Sequence, residues 1–291
     1  MDRLIEKAGV LIEALPYIQR FRNEIVVVKF GGSAMEDPDH VSGVLEDVTF
    51  MECVGMKIVL VHGGGKAISR GMEEDGIDSK FLHGLRVTCE RSIHVVERVL
   101  KTHVNPRIVK LLVKKGATAK SLHGQEIFHV TRKTGVDDQT GEELDWGFVG
   151  EPGGVDTGPI HAMLAEGVIP VITPLGIGPD GKTHNINADV AAASVAKTLR
   201  ARKLAFLSDV PGLLRDPQDP ESLISTLKLP EIEWLVEQGV ISGGMLPKIM
   251  SCMEALSAGV RKVHMIDGRM QHSLLLEMFT DKGVGTEIVG E

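Results

Sequence analysis

A short β-branched run that stops at glycines and is followed by a helix occurs twice near the start of this chain, and no other feature constrains the fold as much. Ile25-Val26-Val27-Val28-Lys29-Phe30 ends at Gly31-Gly32, with a helical stretch at 38–54. Lys57-Ile58-Val59-Leu60-Val61-His62 ends at Gly63-Gly64-Gly65, and another helix follows. Continuous apolar runs suit strands buried on both faces of a parallel sheet. Strands alternating with helices build such a sheet through crossovers, with helices covering both faces. The chain therefore reads as α/β. Downstream, 91–115, 158–166, 189–202, 230–238, 246–258 and 273–279 read as helices. Strands are expected at 168–173, 203–207 and 262–266, and 286–289 reads as a last edge strand. Segment 125–150, rich in Gly, Asp and Thr, reads as a hairpin insert. Residues 3–14 form an amphipathic helix on the spacing of Leu4, Leu11, Leu15 and Ile18, which Pro16 is expected to kink or end. That helix either lies on its own domain or serves as an oligomerisation arm. A lobe boundary is placed near 200, where one strand–helix set ends and another begins.

Several function classes are disfavoured by composition. Lys and Arg number 32 against 40 Asp and Glu, a formal net charge of -8, which is unsuited to general nucleic-acid binding by phosphate neutralisation. Cys53, Cys89 and Cys252 are odd in number and far apart, with no CxxC, so neither a disulfide framework nor a cysteine zinc site is expected. They fit a reducing, cytoplasmic compartment. The N-terminal apolar residues are interrupted by Glu6, Lys7 and Glu13, unlike a signal peptide. No apolar run approaches the ~20 residues that span a membrane.

The glycine turns point toward chemistry. Backbone N–H groups at a glycine turn that opens a helix bind anions, and glycine lets the backbone approach a phosphate. Both turns sit at the C-terminal ends of strands, where open α/β sheets bind ligands. A single GG pair is equally well explained as a tight turn; two after consecutive strands favour a site. Two familiar motifs fail. Gly65-Lys66 is not a Walker A loop, because position 60 is Leu and position 67 is Ala. The span Gly176 to Gly181 matches GxGxxG literally, but it contains Pro179, lies far from the first strand–helix turn and opens no helix, so it reads as a turn.

Taken in order, Val28-Lys29-Phe30-Gly31-Gly32-Ser33, Val61-His62-Gly63-Gly64-Gly65 and Gly84-Leu85-Arg86-Val87-Thr88 resemble the amino acid kinase family. So do Asn185-Ile186-Asn187-Ala188-Asp189, Leu207-Ser208-Asp209-Val210-Pro211-Gly212-Leu213 and Gly243-Gly244-Met245-Leu246-Pro247-Lys248. The likeness runs from about residue 24 to the C-terminus and is weakest at 121–150. The first two motifs indicate the wide family; GLRVT and NINAD point to its N-acetylglutamate branch. The resemblance implies a three-layer α/β/α sandwich with a central, mostly parallel sheet and two lobes. It implies residues 1–21 as an oligomerisation helix, 22–200 as an N-lobe for the amino acid substrate, and 201–291 as a C-lobe for the nucleotide and an arginine site. The implied reaction is phosphorylation of the side-chain carboxylate of N-acetyl-L-glutamate by ATP, with Mg²⁺ bridging the ATP phosphates and needing few protein ligands.

Phosphoryl transfer between two anions demands positioned cations and N–H donors. A lysine ending an otherwise apolar strand needs an explanation, and the resemblance makes Lys29 catalytic. Lys248 alone would pass as surface solvation; the resemblance sets it opposite Lys29, with Asp189 orienting both. Asp189 also suits a helix N-terminus as a carboxylate favourable to the dipole. Gly31, Gly32 and Gly64 are implied as phosphate contacts, and Gly64, Gly65, Arg86 and Asn185 as substrate contacts, with Arg86 clamping the α-carboxylate. Ser208, Asp209 and Gly212 should border adenine and ribose. Lobe closure to exclude water is expected, because an acyl phosphate hydrolyses readily.

The chain also resembles the arginine-sensitive form of the branch, through its N-terminal helix and the run His264 to Arg269, Glu277, Phe279 and Gly283 to Thr286. Glu277 is implied as the guanidinium partner, with Tyr17, Lys203, His264 and Gly283 lining the same pocket; Tyr17, the only tyrosine, could equally be packing at a helix end. The resemblance implies a hexamer, a trimer of dimers interlaced by the N-terminal helices. It also brings in a PII-type signalling protein as a partner of some relatives. Two alternatives are weighed: a sibling kinase for aspartate, glutamate, carbamate or a uridine nucleotide, and a non-catalytic arginine sensor, against which Lys29, Asp189 and Lys248 speak.

Overall fold

The computed structural model describes residues 2–136, 141–280 and 283–290. The chain opens with α1 (Asp2–Phe21), β1 (Ile25–Phe30), α2 (Pro38–Cys53), β2 (Lys57–His62) and α3 (Gly65–Glu74). A small ribbon, β3 (Phe81–Leu82) and β4 (Leu85–Arg86), precedes α4 (Glu90–Val99), a π-turn at Leu100–Val104 and α5 (Asn105–Lys114). Next come β5 (Ala119–Leu122), β6 (Phe128–Val136), β7 (Glu143–Val155), α6 (Gly158–Ala165), β8 (Ile169–Ile172), β9 (Leu175–Ile177) and β10 (Thr183–Asn185). The last part holds α7 (Ala188–Thr198), β11 (Lys203–Ser208), β12 (Thr226–Lys228), α8 (Leu229–Glu237), α9 (Met245–Ser257), β13 (Lys262–Asp267), α10 (Ser273–Phe279) and β14 (Thr286–Val289).

One eight-stranded sheet runs β12-β14-β13-β11-β1-β2-β8-β5. Every pairing is parallel except β13 with β14. The two runs that dominate the sequence lie at its centre, which is why they carry no polar alternation. Val26, Val28 and Phe30 point into a core shared with α2, α3, α4, α5 and α10. Val27 points into the opposite core, with α6, α7, α8 and α9. The two cores are thus the two faces of one sheet, giving the expected α/β/α layering. The sheet runs unbroken across the expected lobe boundary, since β1 pairs directly with β11.

The insert is a hairpin, as expected, but it reaches Val155, and β6, β7, β9 and β10 close on themselves as a small barrel. Residues 137–140 of the insert lie outside the described part. Other expectations are corrected. Helix α1 is not ended by Pro16 but continues to Phe21. Its last turn docks on the domain: Phe21 is buried, and Tyr17 packs against the same core as α2 and α10, which offsets the hydrogen bond proline removes. The upper part of α1 leaves Ile5, Val10, Leu11, Ile12 and Leu15 exposed. The expected single helix over 91–115 is interrupted by the π-turn. The helix expected to reach 202 stops at Thr198, and Arg200 takes a positive φ of 47° before β11. Strand β14 is not at the edge, because β12 pairs outside it. Gly178 and Gly181 close the turn between β9 and β10, where Gly181 N–H donates to the Gly178 carbonyl. Among the described residues, no helix is long and apolar enough to cross a membrane.

Candidate active site

The C-terminal ends of β1 and β2 bring the two glycine turns side by side, and Gly63 N–H donates to the Phe30 carbonyl across them at 2.7 Å. A 210 Å³ pocket there is lined by Lys29, Gly32, Gly64, Gly65, Arg86, Asn185 and Asp189. Gly31 lies under Lys29: a Cβ at that position would fall 2.6 Å from Lys29 Nζ. Gly32 has a φ of 73° that glycine accepts without strain, and its Cα faces the Asp209 carboxylate.

Asp189 sits between two cations. Lys29 Nζ, from β1, lies 2.8 Å from Asp189 Oδ1 as an ion pair. Lys248 Nζ, from α9, donates to Oδ2 at 2.9 Å. Burial raises the cost of ionising Asp189, yet the two ammonium groups outweigh it and hold the carboxyl well below the usual carboxylate range. Local sequence explains the placement. Asn187 caps α7 by accepting from the N–H groups of Asp189 and Val190. That frees the Asp189 side chain to face the lysines from the first turn of α7, where the helix dipole also favours it. Lys248 occupies the first turns of α9, opened by the Gly243-Gly244 turn.

Arg86 is buried and heavily engaged. Nη1 donates to Ser79 Oγ at 2.7 Å and contacts Met72 Sδ at 3.4 Å. Nη2 donates to the Gly65 carbonyl at 2.9 Å and to Ser69 Oγ at 2.8 Å. The Phe81 ring stacks 4.7 Å from the guanidinium carbon. Both terminal nitrogens thus point at protein groups on α3 and the loop after it, and the guanidinium doubles as a strut beneath the second glycine turn.

Ser208 ends β11, and Asp209 follows it beside the first glycine turn. Burial disfavours the Asp209 anion, but its own backbone N–H and the hydroxyl and N–H of Ser33 keep its carboxyl below the ordinary range. Gly212, at φ 144°, packs so closely on β14 that a Cβ would lie 2.5 Å from Thr286 Oγ1. A wider cleft of 1010 Å³ opens on the other side of Asp189, between the hairpin insert (Lys133, Trp146, Glu151) and α9 (Leu246, Met250).

The residues expected at a second site also converge. Tyr17, Lys203, Glu277 and Gly283 line a 300 Å³ pocket between the end of α1 and the β12–β14 side of the sheet, with Arg20, Arg202, Arg261 and Lys262 close by. His264 lies behind it, its Nδ1 2.6 Å from Glu277 Oε1. Glu277 Oε2 accepts from the N–H groups of Val284 and Gly285 at 2.7 and 3.1 Å. Burial pushes the Lys203 ammonium down to about 8, against the opposing pull of Glu277 and Glu287.

Sequence reasoning missed Ser69 and Ser79, which hold Arg86 and carry no local pattern. It also passed over Asn187 as a cap, although an Asn two residues before Asp at the head of an Ala-rich helix is a readable signal.

Known proteins share this arrangement of sequence and fold. The model of the amino acid kinase family matches residues 24–267. An acetylglutamate kinase of Heliobacterium modesticaldum is 46% identical, the match covering 99% of this chain and 100% of that protein. An N-acetylglutamate synthase of Neisseria gonorrhoeae, solved with coenzyme A and N-acetyl-glutamate, superposes with a TM-score of 0.85 at 30% identity, covering 98% of this chain and 63% of that longer protein. The same synthase solved with coenzyme A and L-arginine superposes with a TM-score of 0.81 at 27% identity, covering 98% and 65%.

Proposed function

This chain belongs to the amino acid kinase family, and we propose that it phosphorylates the side-chain carboxylate of N-acetyl-L-glutamate with ATP, giving N-acetylglutamyl phosphate for arginine biosynthesis. The observation that carries the assignment is the Lys29–Asp189–Lys248 bridge beside two glycine turns. A carboxylate oxygen attacks the γ-phosphorus, the bond to the β,γ-bridging oxygen breaks, and ADP departs; no proton need move. The obstacle is repulsion between anions, and the chain's task is to hold and neutralise them. Lys29 and Lys248 come from opposite sides of the site, and Asp189 keeps both ammonium groups aimed into it. The N–H groups of Gly32 and Gly64 are suited to the γ-phosphoryl oxygens. Mg²⁺ bound with ATP would supply further charge neutralisation and would need few ligands from the chain. Arg86 and Asn185 face the acceptor, whose α-carboxylate takes Arg86 donors now given to Ser69 and Ser79. Ser208, Asp209 and Gly212 border the nucleoside, and the 1010 Å³ cleft leaves room for the insert and α9 to close over the reactants.

A second reading concerns regulation, and the cluster around Glu277 favours it. Glu277 takes the guanidinium of L-arginine, while Lys203 and the neighbouring arginines take its carboxylate; the arginine-bound synthase relative supports a ligand of that kind on this fold. Because Tyr17 joins α1 to the pocket, effector binding reaches the arm whose exposed apolar face links dimers into a hexamer. Arginine inhibits by preferring the less active arrangement.

The test is ADP formation from Mg-ATP with N-acetylglutamate, aspartate, glutamate, carbamate or a uridine nucleotide as acceptor, with and without arginine. Turnover confined to N-acetylglutamate supports the assignment; turnover with another acceptor replaces it.

A further inference from the structure

We infer that His62 and Asn105 form a positioning relay that fixes the Gly63–Gly64 peptide, so that the Gly64 N–H is aimed at the transferring phosphoryl group; this rests on the kinase function proposed above. Both side chains are fully buried. Asn105 Nδ2 lies 2.8 Å from the Val171 carbonyl and 3.1 Å from His62 Nε2. A carbonyl only accepts, so the atom at that position is the amide nitrogen, and its second hydrogen goes to His62 Nε2. Nε2 must then carry the lone pair, and the ring proton sits on Nδ1. Nδ1 lies 2.7 Å from the Gly63 carbonyl oxygen and donates to it. In a trans peptide the C=O and the next N–H point in opposite directions. Pulling the Gly63 carbonyl toward the ring therefore turns the Gly64 N–H away from it, toward the pocket that Lys29 and Gly32 share with Gly64. That N–H opens α3 and has no intrahelical acceptor.

The long helix is shaped to make this contact. Its π-turn at Leu100–Val104 ends on Asn105, and such turns recur at functional sites. Leu100 and Val104, on the same turn, press on Gly64: a Cβ there would lie 2.6 Å from Leu100 Cδ2 and 3.6 Å from Val104 Cγ2. The π-turn thus delivers a polar group behind the glycine loop and apolar contacts beside it. Asn105 Oδ1 is buried without a hydrogen bond to the described protein groups, a destabilising feature that packing alone would not favour. Burial also pushes the His62 imidazolium down to about 4, so the ring stays neutral and keeps its tautomer at working pH. Around it, Phe30 lies at its register on β1, Asn105 faces it from α5, and His123, after β5, is the titratable group whose charge acts on it.

The experiment compares full-length wild type with His62→Leu, His62→Asn and Asn105→Asp, measuring kcat and KM for both substrates and the histidine tautomer by ¹⁵N NMR. Wild-type His62 should show a neutral Nδ1–H ring from about pH 5 to 9. His62→Leu should lose roughly 10²-fold in kcat, the cost of one transition-state donor, with each KM within about threefold. His62→Asn, whose amide can still donate to the Gly63 carbonyl, should recover part of that loss. In Asn105→Asp the carboxylate draws the ring proton to Nε2, and Nδ1 then turns a lone pair on the Gly63 carbonyl. Its kcat should fall as pH rises, because only the doubly protonated ring still donates to Gly63; wild type lacks this dependence. If His62→Leu fails to fold, the other two variants and the tautomer carry the test. A wild-type Nε2–H tautomer, an unchanged kcat in His62→Leu, or an effect on KM alone overturns the relay. A wild type that does not turn over N-acetylglutamate removes the proposed function instead, and the tautomer then decides the relay's geometry by itself.

Discussion

Replacing Asp189 with Asn keeps the shape of the bridge and deletes its charge. The lysine side chains that flank it are 8% and 13% exposed, and Asp189 itself is 17% exposed. Removing one member of a buried ion pair leaves its partners uncompensated and costs about 3–5 kcal/mol. The pocket opens to solvent, so the lower end, about 3 kcal/mol, applies, equivalent for a chain of this length to a melting temperature roughly 5 °C lower. The effect on catalysis is larger. Misplacing one charge-stabilising group costs on the order of 10²–10³ in kcat, and Asn releases two ammonium groups together, so a loss of at least about 10³-fold is expected. The assays are steady-state ADP formation and thermal unfolding. The pH dependence gives an independent check. The folded-state carboxyl lies below its unfolded value, so its stabilisation is fully present above the ordinary carboxylate pKa near 4 and is lost as pH falls through the folded value. The gap in melting temperature between wild type and variant should stay constant from about pH 5 upward and narrow only in acid. An Asp189→Asn enzyme within tenfold of wild-type kcat would refute the bridging role.

Four further outcomes follow. Gly31→Ala should fold normally, because its φ of -167° is open to any residue, yet lose at least about tenfold in kcat as its Cβ displaces Lys29 Nζ; kinetics beside circular dichroism checks this. Glu277→Gln should raise the arginine concentration for half-inhibition by tenfold or more, the loss of one charge-assisted hydrogen bond, while uninhibited kcat holds. Lys203 is protonated below about 8 and neutral above, so its attraction for an effector carboxylate is present below that pH and lost above it; arginine titrations at about pH 7 and 9 should differ accordingly. Deleting residues 1–20 should abolish arginine inhibition and leave a dimer by light scattering.

The centre of the fold was legible because its strands are buried on both faces. Ile25–Phe30 and Lys57–His62 must be apolar throughout, and glycines mark where each ends. Short strands were not legible: β9, β10 and β12 each hold three residues, too few for periodicity to declare itself. The π-turn hides in a run whose apolar spacing stays helical; only its consequence, Asn105 beneath the glycine loop, betrays it. Pro16 predicts a kink or an end to α1; the helix does not end there, because the docking of Phe21 carries it through to its last turn. Lys29 stood out as a charge ending a buried strand, whereas Lys248 and Asp189 needed the family resemblance, since each is ordinary at a helix start. The partners of Arg86 could not be seen in sequence, because Ser69 and Ser79 meet it only through the folding of α3 against the following loop.

Phosphoryl transfer to the side-chain carboxylate of N-acetylglutamate leaves an acyl phosphate that can be trapped. Hydroxylamine converts an acyl phosphate to a hydroxamate that mass spectrometry identifies. Incubation with Mg-ATP and N-acetylglutamate should yield N-acetylglutamyl hydroxamate in step with ADP, and none with Lys29→Ala. ADP released without hydroxamate, or a hydroxamate formed only from a different acceptor, would contradict the account.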